Sequence, residues 1–581
     1  MALVQDLLDR LKQLQSDRQP WESHWHEVAR YALPDAERFD GMFAGKDKSS
    51  AIDSVVSEPI AARRTREIYD MTSLWAIDRG ANGTVSLVTP QHGTFHDLQS
   101  DDPFGNDPSD EESLWYEQVR DYLFAARANP RSGFWSAHKA SIRAVWAFGT
   151  GVFYTEESSR GVSSPISYRY VPLSECHLGA DFEGNVNTNF RLFGRSAKQC
   201  VERWGTKCSG KTQQMAADPK KCDQVVTILH AVYPRDEKGA YGNTNRTSKF
   251  SSCYVEVSEK HLIGESGFYE FPFVVHHWQR NNPGPYSEGP ISLALADIKS
   301  LNLMSKNELI ATQQWVRPPI ATGPNDGGGR LDLNAGAVNE GYVNSSGQLL
   351  AQPIISAQRP DFAQAILEAR RNQIKGMLYL DLWQVLITEK PNETATAAMI
   401  RAQEKTELLG PVGSSLQHGL SFMVDREIAI LIRKGAFEPG AKLAAPESIQ
   451  GKGISPRFTS PIDRGRRLSE YQAMQEIAVF AGTLAQAGKP EALEKLDAAE
   501  MIDQAQEILG APRSIIVSDD VLEQRQQQRQ MAEMTAMTTE ATRAAGEAGT
   551  TAAESVQAIA DNPAAGEVMK RVAEASGIPA Q

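Results

Sequence analysis

The spacing of apolar residues predicts three long helices in the middle of the chain. From Ile291 to Val316, apolar residues recur every three or four positions, which is the spacing of one buried helical face. The same spacing runs from Asp361 to Ile387 and again from Ala395 to Arg433. The Pro- and Gly-rich stretch 317–360 and the short polar loop 388–394 separate these segments. Two long helices therefore flank a compact insert, and the pattern alone favours a helical hairpin in an ordinary core.

The residues before this part predict a helical layer followed by a small sheet. Apolar spacing indicates helices over 1–35, 57–89, 113–128 and 132–148. The acidic stretch from Asp97 to Glu112 is expected to be an exposed loop. After Gly149, segments rich in β-branched and aromatic residues predict short strands. These strands are Val152–Thr155, Ser167–Val171, Cys176–Leu178, Val226–Val232, Cys253–Val257 and Phe271–Trp278.

The residues after Arg433 predict a linker, a second group of helices and a polar tail. The linker covers 436–465 and has room for one or two short strands. Helices are expected near 465–485, 490–498 and 499–509. The tail 521–581 is rich in Ala, Glu, Gln and Thr and has few large apolar residues, so it is either disordered or helical within an assembly. The chain as a whole is predicted to be α+β and predominantly helical.

Composition and residue patterns argue against a membrane-spanning, secreted, disulfide-linked or zinc-binding protein. The 581 residues are 41% hydrophobic and 23% charged, and no apolar run reaches the length of a membrane-spanning helix, so stable membrane insertion is not expected. The first residues lack the basic start and apolar block of a signal peptide, which predicts folding in a cytoplasm. The five cysteines are irregularly spaced and include no C-x-x-C pair, so neither a disulfide framework nor a zinc site is expected.

The sequence contains no convincing catalytic pattern. It has no phosphate-binding P-loop, no G-x-S-x-G elbow and no H-E-x-x-H helix, so neither an enzymatic activity nor a cofactor is predicted. His276 and His277 are adjacent in a predicted strand, where neighbouring side chains point to opposite faces, which disfavours a shared metal. The net charge of −13 also argues against tight DNA binding by the whole chain, although such a chain could still surround DNA.

Basic residues near the three long helices are candidates for contact with DNA. Lys299 and Lys306 are seven positions apart and share a helical face, as do Arg371 and Lys375, four positions apart. Lys390 lies in the polar loop, and Asn392 is a further candidate there. For any one of these residues a solvated surface position is the favoured interpretation. In a ring of subunits, however, each position would recur as a ring of positive charge.

Five sequence blocks carry a resemblance to a known family. The blocks are Arg18–Pro34, Asp70–Pro90, Phe148–Gly151, Tyr286–Asn302 with Pro318–Pro319, and Asn392–Gly410. In this order and at this spacing they resemble the portal (head-to-tail connecting) proteins of short-tailed, podovirus-type bacteriophages. The resemblance extends from about residue 5 to residue 510.

The resemblance implies a ring, usually of twelve subunits, at one capsid vertex of the virion, through which double-stranded DNA passes without sequence-specific binding. It implies contacts with the major capsid protein, the terminase large subunit, and the tail adaptor and tail proteins, with internal ejection proteins as further partners. It also implies that the chain has no catalytic activity of its own. The implied parts are a wing (1–285 and 395–465), a stem (286–316 and 361–387), a clip (317–360), a channel loop (388–394), crown helices (466–520) and a tail (521–581), which is a helical barrel or disordered.

The clip is expected to be an assembly surface. Its short apolar pieces lie between turn-rich segments and are too short to bury themselves, so they are expected to pair with a neighbouring subunit. Arg317, Asn325, Tyr342 and Ile354 are the candidate contact residues there. Two other classes of protein stay open on the sequence alone. One is a cytoplasmic multidomain enzyme with an unrecognised site, and the other is a different phage structural protein, such as a tail adaptor or scaffold.

Overall fold

The computed structural model divides the chain into two compact units, Met1–Asp497 and Ala498–Gln581. Each unit is considered by itself. The described residues are 2–33, 67–102, 109–158, 165–235, 248–280, 284–316, 320–321, 343, 345–348, 352–353, 361–380, 395–449, 452–489, 491–510 and parts of 515–536.

The described residues confirm the predicted α+β class, with helices predominating. Most of the predicted helices are present within a few residues of their expected bounds. In the first unit they are α1 Ala2–Tyr31, α2 Thr72–Val88, α3 Asp110–Ala128, α4 Phe134–Phe148, α5 Ala197–Trp204, α6 Gly210–Ala217, α7 Pro290–Val316, α8 Asp361–Met377, α9 Ala395–Arg433, α10 Pro461–Gln486 and α11 Glu491–Glu494. The second unit contains α12 Ala498–Leu509.

The strands form antiparallel sheets. They are β1 His96–Ser100, β2 Thr150–Glu157, β3 Ile166–Val171, β4 Cys176–Ala180, β5 Val186–Ser196, β6 Val225–Pro234, β7 Phe250–Glu256, β8 His261–Phe268, β9 Phe273–His277, β10 Ile320–Ala321, β11 Gln352–Pro353 and β12 Ile454–Phe458. One sheet has the order β3-β2-β9 and a larger one the order β4-β5-β6-β7-β8, while β1 pairs with β12 and β10 with β11. All five cysteines are free.

Helix α1 contributes to two hydrophobic cores. Its first half packs Leu7, Leu11 and Leu14 onto the face of the five-stranded sheet that carries Leu192 and Leu229. Its second half enters the main core, where the Trp25 ring is fully buried. One amphipathic helix therefore fixes the five-stranded sheet relative to the helical layer, because burial of its apolar face stabilises both contacts.

Helix α4 lies at the centre of the helical layer. Trp146 of α4 packs directly over Gly80 of α2, where a methyl group would come within 2.4 Å of the indole ring. The indole N–H donates to the Thr84 hydroxyl oxygen at 2.9 Å. The small residues of α2 thus permit close packing of the two helices, as their presence in the sequence predicts.

Two sequence-based expectations for the first hundred residues are wrong in part. Residues 67–71 are not α-helical, and the described helix begins at Thr72 rather than near residue 60. The acidic stretch is not one loop, because His96–Ser100 forms β1 and Asp110 begins α3 after a capping box of Ser109 and Glu112. Strand β1 exists because β12, more than 350 residues later in the chain, supplies its backbone partners.

Candidate functional site

Helix α7 begins at a tight junction with the turn that joins α4 to β2. At this turn Gly149 has a φ of +81°, and a Cβ atom there would lie 2.0 Å from the carbonyl oxygen of Ser287. The Ser287 hydroxyl donates to the Gly149 carbonyl oxygen at 2.5 Å, and the Ser287 amide donates to the Thr150 hydroxyl at 3.0 Å. On the other side of the contact, a Cβ atom on Gly289 would lie 2.7 Å from the Gly149 nitrogen. The backbones therefore meet at a distance that only glycine allows.

Aromatic side chains surround this junction. The Tyr286 ring lies 5.1 Å from the Trp25 ring and 6.0 Å from the Trp21 ring of α1. The Tyr286 hydroxyl oxygen accepts a hydrogen bond from the Leu178 amide at 2.9 Å, and burial raises the pKa of the phenol, which stays neutral. Three of the sequence blocks that resemble portal proteins, Arg18–Pro34, Phe148–Gly151 and Tyr286–Asn302, thus meet at one place.

A short segment, residues 67–75, is held between α7 and α8. We call it the clamp segment. The Asn302 amide oxygen of α7 accepts from the Tyr69 backbone amide at 2.7 Å, and its amide nitrogen donates to the Glu67 carbonyl oxygen at 3.0 Å. From α8, the Arg371 Nε donates to the Asp70 carboxylate at 2.9 Å. Both long helices are therefore attached to the same few residues.

The Asp70 carboxylate has a second role at the start of α2. Its Oδ1 accepts from the Thr72 amide at 2.9 Å, which satisfies one of the free backbone donors of the first helical turn. Burial acts to raise the pKa of Asp70, but hydrogen bonds from Thr72 and Arg371 outweigh burial, and the pKa lies below its usual value. The carboxylate is thus charged at neutral pH and compensates the Arg371 guanidinium.

Three of the predicted DNA-contact residues meet at the clamp segment. Lys306 lies 5.6 Å from the centre of the Tyr69 ring, and Lys375 lies 5.9 Å from the centre of the Trp75 ring. Arg371 pairs with Asp70 and also with Glu368 of its own helix at 2.5 Å. The shared helical faces inferred from spacing therefore bring Lys306, Arg371 and Lys375 together.

The fourth described candidate, Lys299, lies against α1 instead. Its Nζ is 3.2 Å from the Glu27 carboxylate and 5.6 Å from the centre of the Tyr31 ring. Lys299 and Arg371 thus have acidic partners. Within the described residues, Lys306 and Lys375 have none, so they retain uncompensated positive charge beside long helices.

The remaining candidates from the sequence lie outside the described residues. These are Lys390, Asn392, Arg317, Asn325, Tyr342 and Ile354. Of the insert 317–360, the structure describes a short ladder in which Ile320 pairs with Pro353 and Ala321 with Gln352. The two ends of the insert therefore pair with each other in one chain, while the predicted pairing of its other pieces with a neighbouring subunit stays a prediction.

A buried ionic cluster attaches the long helix α9 to the helical layer, and sequence analysis missed it. The Arg127 Nε of α3 donates to the Glu427 carboxylate of α9 at 3.1 Å, and its NH1 contacts His96 Nε2 at 2.7 Å. The Tyr168 hydroxyl also donates to Glu427. Burial and the adjacent Arg127 hold the pKa of His96 well below its usual value, so the neutral ring can accept this hydrogen bond. Residues 300 positions apart give no local signal of such a pair.

The two halves of α7 differ in burial. In the first half, Ile291, Leu295, Ile298 and Leu301 are buried in the main core, and among its large apolar residues Leu293 is exposed, at 69%. In the second half, large apolar side chains are exposed, and the fractions are Leu303 58%, Leu309 48%, Ile310 41% and Val316 66%. Exposed apolar side chains that follow one another along a helix are candidates for contact with another protein surface.

The described part of the chain offers neither a membrane-spanning helix nor a cluster of metal ligands. No helix there is long and apolar enough to cross a bilayer. The same residues contain no group of three or more His, Cys, Asp or Glu side chains arranged to hold a metal ion.

Comparison with known proteins agrees with the geometry. The sequence profile of the family described as bacteriophage head to tail connecting protein matches residues 4–517. The chain is similar to the portal protein of Salmonella phage epsilon15, with 26% identity over 530 residues that cover 89% of each chain. It is also similar to the probable portal protein of Bordetella phage BPP-1, with 26% identity over 528 residues and 88% of each chain. The chain therefore belongs to the family of bacteriophage head to tail connecting proteins.

Proposed function

We propose that this chain is the portal subunit of a phage, and that copies of it form the ring at one capsid vertex through which double-stranded DNA is packaged and ejected. The family membership and the two similar portal proteins support this function. The structural observation that carries it furthest is that α7 buries one apolar face in the core over its first half and exposes several large apolar side chains over its second half.

A second copy of the chain is the partner that this exposed surface fits best. When a neighbouring copy covers the apolar residues on the second half of α7, their surface is removed from water, which is energetically favourable. In a closed ring every copy presents the same two surfaces, so the exposed side of α7 would meet the same surface of the next copy at every subunit contact. Twelve copies is the number that the resemblance implies.

We assign the parts of the subunit on the same basis. Residues 1–285 and 395–465 are the wing, which meets the capsid, and helices α7 and α8 belong to the stem. Residues 317–360 are the clip, which docks first the terminase motor and later the tail adaptor, and residues 388–394 are the channel loop. Residues 466–520 are the crown and 521–581 the tail. The complete ring assembles in the host cytoplasm and resides at the head–tail vertex of the virion.

The charge distribution suits a channel through which DNA slides. A subunit with a net charge of −13 repels phosphates, so DNA is not held tightly at any point. Lys306 and Lys375, which lack acidic partners in the described residues, supply sparse positive charge that guides DNA without trapping it. Lys390 and Asn392 add contacts at the channel loop.

Omission of the chain from phage assembly tests the proposed function. When the phage that encodes this chain is grown with the gene interrupted, we expect capsid shells that contain no DNA, and the intact chain supplied from a plasmid should restore filled heads. DNA-filled heads in the absence of the chain would show that DNA enters by another route and would overturn the proposal.

A further inference from the structure

A cavity of about 480 Å³ opens between the two larger sheets and helix α5. Arg191, Phe193 and Arg195 alternate along β5, so all three point to one face of the five-stranded sheet. The same face carries His230 of β6, directly opposite Arg191 in the ladder, and Tyr254 of β7, directly opposite His230. The opposite face of this sheet is the one that α1 covers.

Four arginines and one acidic residue, Glu202, line this cavity. Arg169 pairs with Glu156 at 2.6 Å, and Arg191 pairs with Glu175 at 2.7 Å. Arg195 and Arg203 form no ion pair with any acidic side chain in the part of the chain that the structure describes. These two guanidinium groups are therefore available to bind an anion.

The arginines are close enough to affect one another's charge. Burial lowers the pKa of Arg195, the carboxylate of Glu175 acts in the opposite direction, and the neighbouring Arg191 and Arg169 lower the pKa further. Like charges at close range repel each other, and the repulsion is stronger where protein partly excludes water. An anion bound between the guanidinium groups would remove this repulsion and accept hydrogen bonds from them.

Aromatic rings form the rest of the wall. The Tyr254 ring stacks on His230 at 4.1 Å with an angle of 3° between the planes. The Trp204 ring of α5 lies 5.5 Å from the Tyr254 ring at an angle of 51°. Rings of this kind contact the planar organic part of a ligand. The volume lies within the range of small-molecule sites, about 300–1,000 Å³.

We propose that this cavity binds a small organic phosphate of the size of a nucleoside diphosphate. The phosphate oxygens lie against Arg195 and Arg203, and the organic part lies against Trp204 and Tyr254. The site does not depend on the portal function, so its test and the omission test above can fail separately.

Calorimetric titration of the purified full-length chain with ADP, without divalent ions, tests the proposal. We expect one ADP per chain. Arg195→Gln/Arg203→Gln should weaken ADP binding at least tenfold, because both unpaired guanidinium groups are lost. The matched control Arg10→Gln/Arg79→Gln removes the same charge from exposed positions elsewhere and should change the affinity less than twofold. Trp204→Ala should weaken ADP binding but leave the binding of pyrophosphate alone unchanged.

Three results would overturn the proposal. The first is no binding of ADP at millimolar concentration, and the second is an equal loss of affinity in the cavity variant and in the control. The third is binding of hexaglutamate with higher affinity than ADP, lost in Arg195→Gln/Arg203→Gln, which would identify the cavity as a site for an acidic peptide. Circular dichroism spectra of all variants should match the wild type, since Arg195 and Arg203 are exposed.

Discussion

The Ser287 hydroxyl donates a hydrogen bond to the carbonyl oxygen of Gly149 at 2.5 Å, and this contact ties the residues just before helix α7 to the turn that joins α4 to β2. The Trp278 amide donates to the same carbonyl oxygen at 2.9 Å. A change at Gly149 therefore acts on the end of α4, on the end of β9 and on the start of α7 together.

Gly149→Ala should destabilise the subunit strongly. The new methyl group would lie 2.0 Å from the Ser287 carbonyl oxygen, and the φ of +81° disfavours any side chain. We expect the free energy of unfolding to fall by about 3 kcal/mol, measured by urea denaturation. Gly284→Ala is the matched control because a methyl group there meets nothing within 4 Å, and equal stability of the two variants would contradict the structure.

Removing one partner of the buried ion pair between Arg127 and Glu427 should lower the stability of the subunit strongly. Arg127→Met leaves the Glu427 carboxylate buried without its cation, and we expect a loss of about 3–5 kcal/mol in the free energy of unfolding. Arg127→Met/Glu427→Leu removes both charges and should recover a large part of that loss. A double variant as unstable as Arg127→Met would mean that the pair itself, rather than the isolated charge, supplies the stability.

Buried histidines should make the subunit sensitive to acid. Burial first, and then the charge of Arg127, lower the pKa of His138 to about 3 from a usual value of 6.5. Below pH 6.5 the unfolded chain therefore binds a proton that the folded chain excludes, and the free energy of unfolding falls as the pH falls towards 3. The slope is about 1.4 kcal/mol per pH unit for one histidine.

Urea denaturation at pH 7, 6 and 5 measures this effect. The His138→Gln variant lacks the side chain that binds this proton in the unfolded chain. Its free energy of unfolding should therefore fall less steeply than that of the wild type as the pH is lowered. His92→Gln, which replaces an exposed histidine, should keep the wild-type slope. If His138→Gln and the wild type show the same slope, His138 is not excluded from protonation in the folded state.

Changing the charge at the clamp segment should affect the packaging of DNA more than the folding of the subunit. Lys306→Glu/Lys375→Glu replaces two cations that lack acidic partners among the described residues, so we expect normal rings but a shorter packaged genome, measured by gel electrophoresis of DNA from filled heads. Lys220→Glu/Lys442→Glu makes the same charge change at exposed positions outside α7 and α8 and should package DNA of full length. Identical genome lengths in the two variants would place Lys306 and Lys375 away from the DNA path.

The sequence predicts those elements whose apolar pattern is local. Helices α7 and α9 have the bounds that apolar spacing indicates, within one residue. Strand β5 escapes detection because polar residues such as Asn187 and Asn189 break the pattern of a buried strand, and its pairing with β4 and β6 stabilises it instead.

In the candidate site, too, the sequence predicts only what a local pattern can indicate. Spacing indicates that Arg371 and Lys375 share a helical face, but it gives no information about what lies opposite that face. Asp70, the partner of Arg371, is 301 positions away, and the described part of helix α8 ends at Met377, near Tyr379 with a φ of +53°. Long-range pairs of this kind depend on the packing of the whole subunit rather than on any local pattern.

Electron microscopy of the purified full-length chain tests the central claim most directly. If the chain is a portal subunit, class averages should show closed rings with a central hole wide enough for a DNA double helix. Leu309→Glu/Ile310→Glu, which places charge on the exposed half of α7, should yield folded subunits that no longer close into rings. Discrete monomers of the wild-type chain, at concentrations where it is folded, would contradict the account.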